Sequence, residues 1–316
     1  MTGYVMRRLL LMLPVAFFAS LILFVLLKLT PGDPVRIQLG EQVTAENYQA
    51  LRRELGLDQP APVQYVKWLS RVVRGDFGKS LRNRAPVREE IVARLPKTLL
   101  LGGAALLITV GVAFPFGTLA AIFRRSPIGF LATAFTQVGV SLPNFLVALL
   151  LIYVVSARWG LVPPGGYTPF SEDPGQALKR LILPAITLSL FGAASQTRFI
   201  RSGLLDTLHQ DYIRTARAKG LSEWAVITRH ALRNALIPSV TLLGLQVGTI
   251  LEGAFITEQV FAWPGMGRLA VQAIGARDYP IVQAVVLIAV FAFMFANLIV
   301  DIAYAYLDPR ISYARR

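Results

Sequence analysis

The chain has 316 residues, 54% of them hydrophobic and only 16% charged, with 32 Lys and Arg against 18 Asp and Glu for a formal net charge of +14; its mean hydropathy is +0.55. A water-soluble surface is not built from so little charge, which excludes a soluble enzyme, a disordered chain and a collagen-like chain. Cysteine is absent, so disulfides, thiolate catalysis and Cys-ligated metals drop out together.

Six stretches carry no charged residue: 9–27, 98–123, 128–157, 181–197, 234–251 and 279–300. A hydrocarbon core of about 30 Å takes roughly 20 helical residues, so the pattern predicts an all-α polytopic membrane protein with six spans. A transmembrane barrel would instead alternate apolar and polar residues over about ten positions. The first stretch follows Arg7 and Arg8 but is longer than a signal-peptide core, which predicts an uncleaved first span. Lys and Arg sort across alternate loops. Fourteen lie on the side of Arg7, Arg124, Arg198 to Arg233 and Arg316, and five lie in the opposite loops 158–180 and 252–278. Both termini are therefore expected in the cytoplasm, with 30–97 outside in an inner membrane; the basic excess reports topology and anionic lipid, not nucleic acid.

In chain order, the external stretch 30–97 has helical periodicity of its own. Thr44 is placed to cap a helix through Glu54 that Gly56 stops, and Tyr65, Trp68, Leu69 and Val72 share a face that ends at Gly75. A third short helix, leading into the second span, is expected from Pro86 to Leu95. This insertion reads equally as a cover over span ends, as an aromatic belt at the interface and as a docking surface. Gly78-Lys79-Ser80 does not make a phosphate loop, because Val73 stands where the preceding Gly is required.

Pro115, Pro143 and Pro184 fall inside charge-free stretches and predict bends, either for packing or to free carbonyls toward a cavity. Residues 201–236 form a loop on the cytoplasmic side that reads as two helices and a turn. Asp211 suits the first helix's amino end, Lys219 its last turn, Gly220 a left-handed closure and Ser222 the cap of the second helix, whose Trp224, Ile227, Ala231 and Asn234 share one side. Ala216 and Ala218 are small enough to let another surface approach. Such a pattern fits an ordinary basic loop, and it also fits a rigid arm that a soluble partner pushes. His209 and His230, both in this region, pair with no nucleophile and are too few for a metal site.

In the fifth span Gly244, Gly248 and Glu252 are spaced four apart on one face suited to close helix contact. Glu252, about 24 Å along its helix, reads as a solute contact or gate, or as a carboxylate that reaches the interface or an Arg; Glu258 is expected nearer still to the interface.

These residues carry a resemblance that runs from end to end: Thr30-Pro31-Gly32-Asp33-Pro34, Leu55-Gly56-Leu57-Asp58-Gln59-Pro60, Gly75-Asp76-Phe77-Gly78, Arg94-Leu95-Pro96, residues 211–220, residues 229–238, Trp263-Pro264-Gly265-Met266-Gly267-Arg268, Arg277-Asp278-Tyr279-Pro280 and Leu307-Asp308-Pro309-Arg310. In this order the chain resembles the membrane permease subunit of a bacterial ABC importer, the B-type subunit of the dipeptide, oligopeptide, nickel and glutathione branch. The resemblance implies the type I importer permease fold, half of a translocation path for peptides or similar small solutes, and no reaction on this chain. It implies a second permease subunit, two ATPase subunits that bind ATP and Mg, and an extracytoplasmic solute-binding protein. It also implies that Asp211, Thr215, Ala216, Arg217, Ala218, Lys219, Gly220 and Ser222 belong to the helix and turn that dock on the ATPase. The chain departs from the name-giving EAA pattern, with Thr215 in place of Glu and Arg217 in place of the second Ala. Readings as a proton-driven transporter or an intramembrane enzyme lack their marks: mid-depth acids with internal repeats for the first, paired carboxylates within a span for the second.

Overall fold

The computed structural model describes residues 2–29, 33–39, 43–54 and 56–307, and its regular elements are all helical among those residues. The motif positions 30–32, 55 and 308–310, and the side chain of Asp301, the charge that follows the last apolar stretch and is expected at its cytoplasmic end, lie outside them. Helices α1 (Thr2–Leu29), α2 (Pro34–Leu39), α3 (Ala45–Glu54) and α4 (Ala61–Val73) lead to α5 (Val87–Ile122). Then come α6 (Pro127–Ser141) and α7 (Asn144–Leu151), the latter continued by a π-helical segment, Ile152–Arg158. After them follow α8 (Pro174–Leu208), α9 (Asp211–Ala218), α10 (Glu223–Ala225), a second π segment (Val226–Ala231), α11 (Leu232–Ala235), α12 (Ile237–Val260), α13 (Met266–Gly275) and α14 (Tyr279–Leu307).

Residues Val5–Leu29, Val87–Ile122, Pro174–Leu208 and Tyr279–Ile299 each form a helix long and apolar enough to cross a membrane. The stretch 128–157, expected as one span, is two helices bent by 109°. Pro143 causes the break: it lacks an N–H, and it holds the preceding Leu142 in the extended region (φ −82°, ψ 127°). By contrast α5 continues through Pro96 and Pro115, and α8 through Pro184. The sixth apolar helix is α12, 24 residues long and uncharged before Glu252.

The chain divides into two compact units, one holding the described residues of 2–98 and 264–294 and the other those of 99–263 and 295–307. In the first, Thr44 caps α3 by accepting from the Asn47 N–H (3.2 Å), and Gly56 closes it at φ +66°. The Tyr48 hydroxyl donates to Asp33 Oδ2 at 2.6 Å, and the neighbouring carboxylate, by accepting that proton, raises the phenol above its ordinary pKa. The α4 aromatics engage α1. The Tyr65 hydroxyl shares a 2.8 Å hydrogen bond with Ser20, its ring stands edge-on to Phe24 at 5.4 Å, and Trp68 lies 6.0 Å from Phe24. That geometry suits a helix laid along the first span.

The short helix expected from Pro86 does lead into the second span, but without a break: it is the opening of α5. Glu89 and Glu90 occupy its first turn and Glu90 pairs with Arg94 at 3.0 Å, so nothing stops the helix at Pro96. Before it, the turn from Gly78 is held by Asp278, which is buried, accepts from the Leu81 N–H at 3.1 Å and from the Ser80 hydroxyl, and whose carbonyl begins α14 by accepting from the Val282 N–H.

In the second unit α8 packs against α6, α7, α11 and α12. Its apolar core joins Leu101 and Ala105 of α5, Leu181, Ala185 and Leu188 of α8, Ile250 and Ala254 of α12, and Trp263, whose ring meets Tyr167 edge-on at 5.0 Å. At Gly139 the α6 backbone lies so close to α8 that an added Cβ would come within 2.6 Å of Ala194.

Candidate functional site

Two features of the second unit carry the residues singled out by sequence. The first is the arm after α8. Helix α9 begins at Asp211, yet the capping position belongs to Gln210, and Asp211 does not cap: its Oδ1 receives Arg214 at 3.3 Å. Asp211 thus stands at the amino end of α9, as expected, where its charge suits the helix's positive end, but its carboxylate pairs with Arg214 and takes no free helix N–H. Thr215 donates its hydroxyl to the Asp211 carbonyl at 3.0 Å. Gly220 closes α9 at φ +77°, where any other residue would be strained. Ser222 caps the next helix through the Ala225 N–H at 3.4 Å.

Arg217 reaches across this turn to Glu223, with Nε to Oε1 at 2.7 Å and a second contact from Nη2 at 3.2 Å. The guanidinium holds the Glu223 carboxyl below its ordinary range by hydrogen bonding to the charged form.

The arm is keyed to the spans by an apolar cluster of Ala121, Leu204, Ile213, Ala216, Val226, Ala231 and Ala235. Ala216, expected to admit another surface, is therefore buried under the chain's own residues, whereas Ala218 and Lys219 are exposed. The expected stripe of Trp224, Ile227, Ala231 and Asn234 is also corrected. Ile227 and Ala231 are buried, but Trp224 is 74% exposed and Asn234 points its amide to the Tyr212 hydroxyl at 2.8 Å. The reason is the π segment Val226–Ala231, whose wider turn rotates the helix out of the 3.6-residue register on which the stripe depends.

The second feature is a cavity of about 240 Å³ lined by Asn144 of α7, Leu188, Phe191 and Gly192 of α8, and Thr249, Ile250, Glu252, Gly253 and Ile256 of α12. Glu252 is exposed toward it, while Gly244 and Gly248 on the same helix are buried away from it. Gly253 permits close helix approach: a Cβ there would lie 2.8 Å from Leu188 Cδ1 and 3.2 Å from Asn144 Nδ2. Glu258, expected near the interface, is fully buried, and its carbonyl accepts from the Trp263 N–H at 2.8 Å.

Beneath the cavity two glutamines tie α8 to α12 in opposite directions. Gln246 donates to the Gly192 carbonyl and Gln196 to the Ser239 carbonyl, each at 3.1 Å. Sequence reading missed both pairs and Asn144. The available signal was three amides inside otherwise apolar stretches, one of them directly after a proline.

Comparison with known proteins matches this architecture. Residues 113–313 match the family described as binding-protein-dependent transport system inner membrane component, and residues 1–102 its N-terminal companion. The oligopeptide transport system permease protein AppB of Bacillus subtilis is 40% identical over 316 residues, covering 99% of this chain and all of AppB. The dipeptide transport system permease protein DppB of Escherichia coli K12 is 40% identical with both chains fully covered. Among solved structures, the inward-facing MetNI methionine ABC transporter aligns with a TM-score of 0.54 at 16% identity, over 69% of this chain and 95% of that one. An amino acid ABC transporter with histidines aligns at 0.52 and 18%, over 69% and 94%; at such identities these two speak for the fold alone. The chain belongs to the binding-protein-dependent transport system inner membrane component family, and is a multi-pass ABC importer permease subunit, not an enzyme.

Proposed function

We propose that this permease carries peptides, that it pairs with a second, homologous permease, and that an extracytoplasmic binding protein delivers the solute while two ATPase subunits, which hold the ATP and Mg, drive it. The observation that supports this most is 40% identity to a dipeptide and an oligopeptide permease over their whole lengths. The distribution of Lys and Arg favours cytoplasmic termini and a cytoplasmic arm.

On this reading the arm from Asp211 to Ala235 is the ATPase contact. Its outer surface offers Tyr212, Arg214, Arg217, Lys219, Leu221 and Trp224, exposed side chains of the aromatic and Arg types that anchor interfaces. Its inner surface is the apolar cluster on Leu204 and Ala121, so displacement of α9 reaches α8 and α5 through close-packed side chains that do not yield. ATP binding can reset the spans only if the closed ATPase pair favours one arrangement of the arms over the other.

The test is reconstitution of the chain with its second permease, ATPase and binding protein in vesicles. ATP-dependent dialanine uptake that needs the binding protein is the expected result, and its absence with a range of peptides would overturn the proposal. Trp224→Ala, at an exposed position, should leave the assembled fold intact and lower solute-stimulated ATP hydrolysis by about tenfold, as a buried interface anchor would.

A further inference from the structure

Resting on the peptide reading above, we infer that the Glu252 cavity is a subsite for the protonated amine end of the solute. Glu252 is a carboxylate within an apolar helix, and its side chain makes no hydrogen bond or ion pair with another described residue. Ionisable groups in spans face a partner or a wet cavity. Its depth follows from the neighbouring helices. Leu188 and Phe191 bracket the middle of the charge-free stretch 181–197, Asn144 follows the bend in 128–157, and Glu252 stands about 24 Å along its helix, so the cavity opens among the apolar helices and reaches past their middle toward the outer end of α12.

The remaining lining selects the chemistry. Phe191 supplies an aromatic wall, which favours a cation. The Thr249 hydroxyl donates to the Gln246 backbone carbonyl at 2.9 Å and turns only its acceptor lone pairs to the cavity. A carboxylate, an acceptor hydroxyl and an aromatic ring together attract a donor-rich cation, and the Asn144 amide, a neutral group that both donates and accepts, brings no positive charge to hold a solute carboxylate beside Glu252. About 240 Å³ is smaller than the roughly 300–1,000 Å³ of pockets that enclose a whole drug-sized ligand. The cavity therefore takes one end of the solute, the ammonium group and its first carbons.

The test exploits the absence of cysteine. Ile256→Cys places a thiol in the cavity wall of this chain, and its modification by a maleimide in the intact transporter is followed by mass on this chain alone. Alaninamide, a primary ammonium without a carboxylate, should slow labelling, whereas N-acetylalaninamide should not. Glu252→Gln should weaken alaninamide protection by about tenfold, the loss of roughly one ion pair, and Glu252→Asp should restore most of it. Equal protection by the two amides, or protection unchanged in Glu252→Gln, would overturn the inference. Loss of the second permease from the purified Glu252→Gln complex would overturn it too, by making Glu252 an assembly contact. Dialanine uptake by the same vesicles without the cysteine reads the peptide function separately, so amine protection without uptake would sink that function and leave the subsite standing.

Discussion

Asp278 shows how one buried carboxylate fixes a distant turn. It takes the Leu81 N–H and the Ser80 hydroxyl while its own carbonyl starts α14, and Ser80 in turn accepts from the Arg82 and Asn83 N–H groups. Asp278→Ala leaves those donors unsatisfied at a cost of about 1–3 kcal/mol. The expected outcome is protease cleavage within residues 78–86 at enzyme concentrations that leave the wild type intact. Glu223 gives a pH-dependent case. Its pKa is depressed in the folded arm, so its contribution to stability is present above the ordinary carboxylate value and lost as pH falls through the lower folded value. Arg217→Gln should return the Glu223 carboxyl to its ordinary pKa, measurable by NMR of a side-chain-labelled protein, and high salt should weaken the same exposed pair.

Among the helices, α8 and α12 are joined by amide hydrogen bonds that water would weaken but apolar surroundings preserve. Polar contacts between spans average about 0.6 kcal/mol with a maximum near 1.7, so Gln246→Leu should lower thermal stability modestly, and Gln196→Leu with it should add little beyond the sum. A loss far above that in the double variant, seen in thermal unfolding in nanodiscs, would mean the pairs act as one unit. The arm depends on a different restraint. Gly220→Ala forces a side chain into φ +77° and should cost about 1 kcal/mol, loosening the Arg217–Glu223 turn and reducing coupling of hydrolysis to uptake. Local sequence rules served these elements unevenly. Thr44, Gly56, Gly220 and Ser222 act within a few residues of themselves, and their roles were legible. The Trp224 stripe was not, because a π segment changes the period that such a stripe assumes.

At the scale of the whole chain, a cysteine-free background makes topology directly testable. Ala218→Cys should react with an impermeant maleimide only from the cytoplasmic side, and Ala61→Cys only from outside; both positions are exposed, and the distribution of Lys and Arg favours this sidedness. The sequence alone determined that the chain lives in a bilayer, roughly where its apolar helices lie, and that its basic arm sits between the fourth and fifth of them. Those properties follow from hydrophobicity, charge and short-range capping, which add along the chain. Tertiary structure alone decided that Tyr65 meets Ser20, that Ala216 turns inward, that of the three span prolines Pro143 breaks its helix while Pro115 and Pro184 do not, and that Glu252 shares a cavity with Asn144 and Phe191. Asn144 and Glu252 stand more than a hundred residues apart, and only the crossing of α7, α8 and α12 brings their side chains to one place; no local pattern records how separate helices turn toward each other.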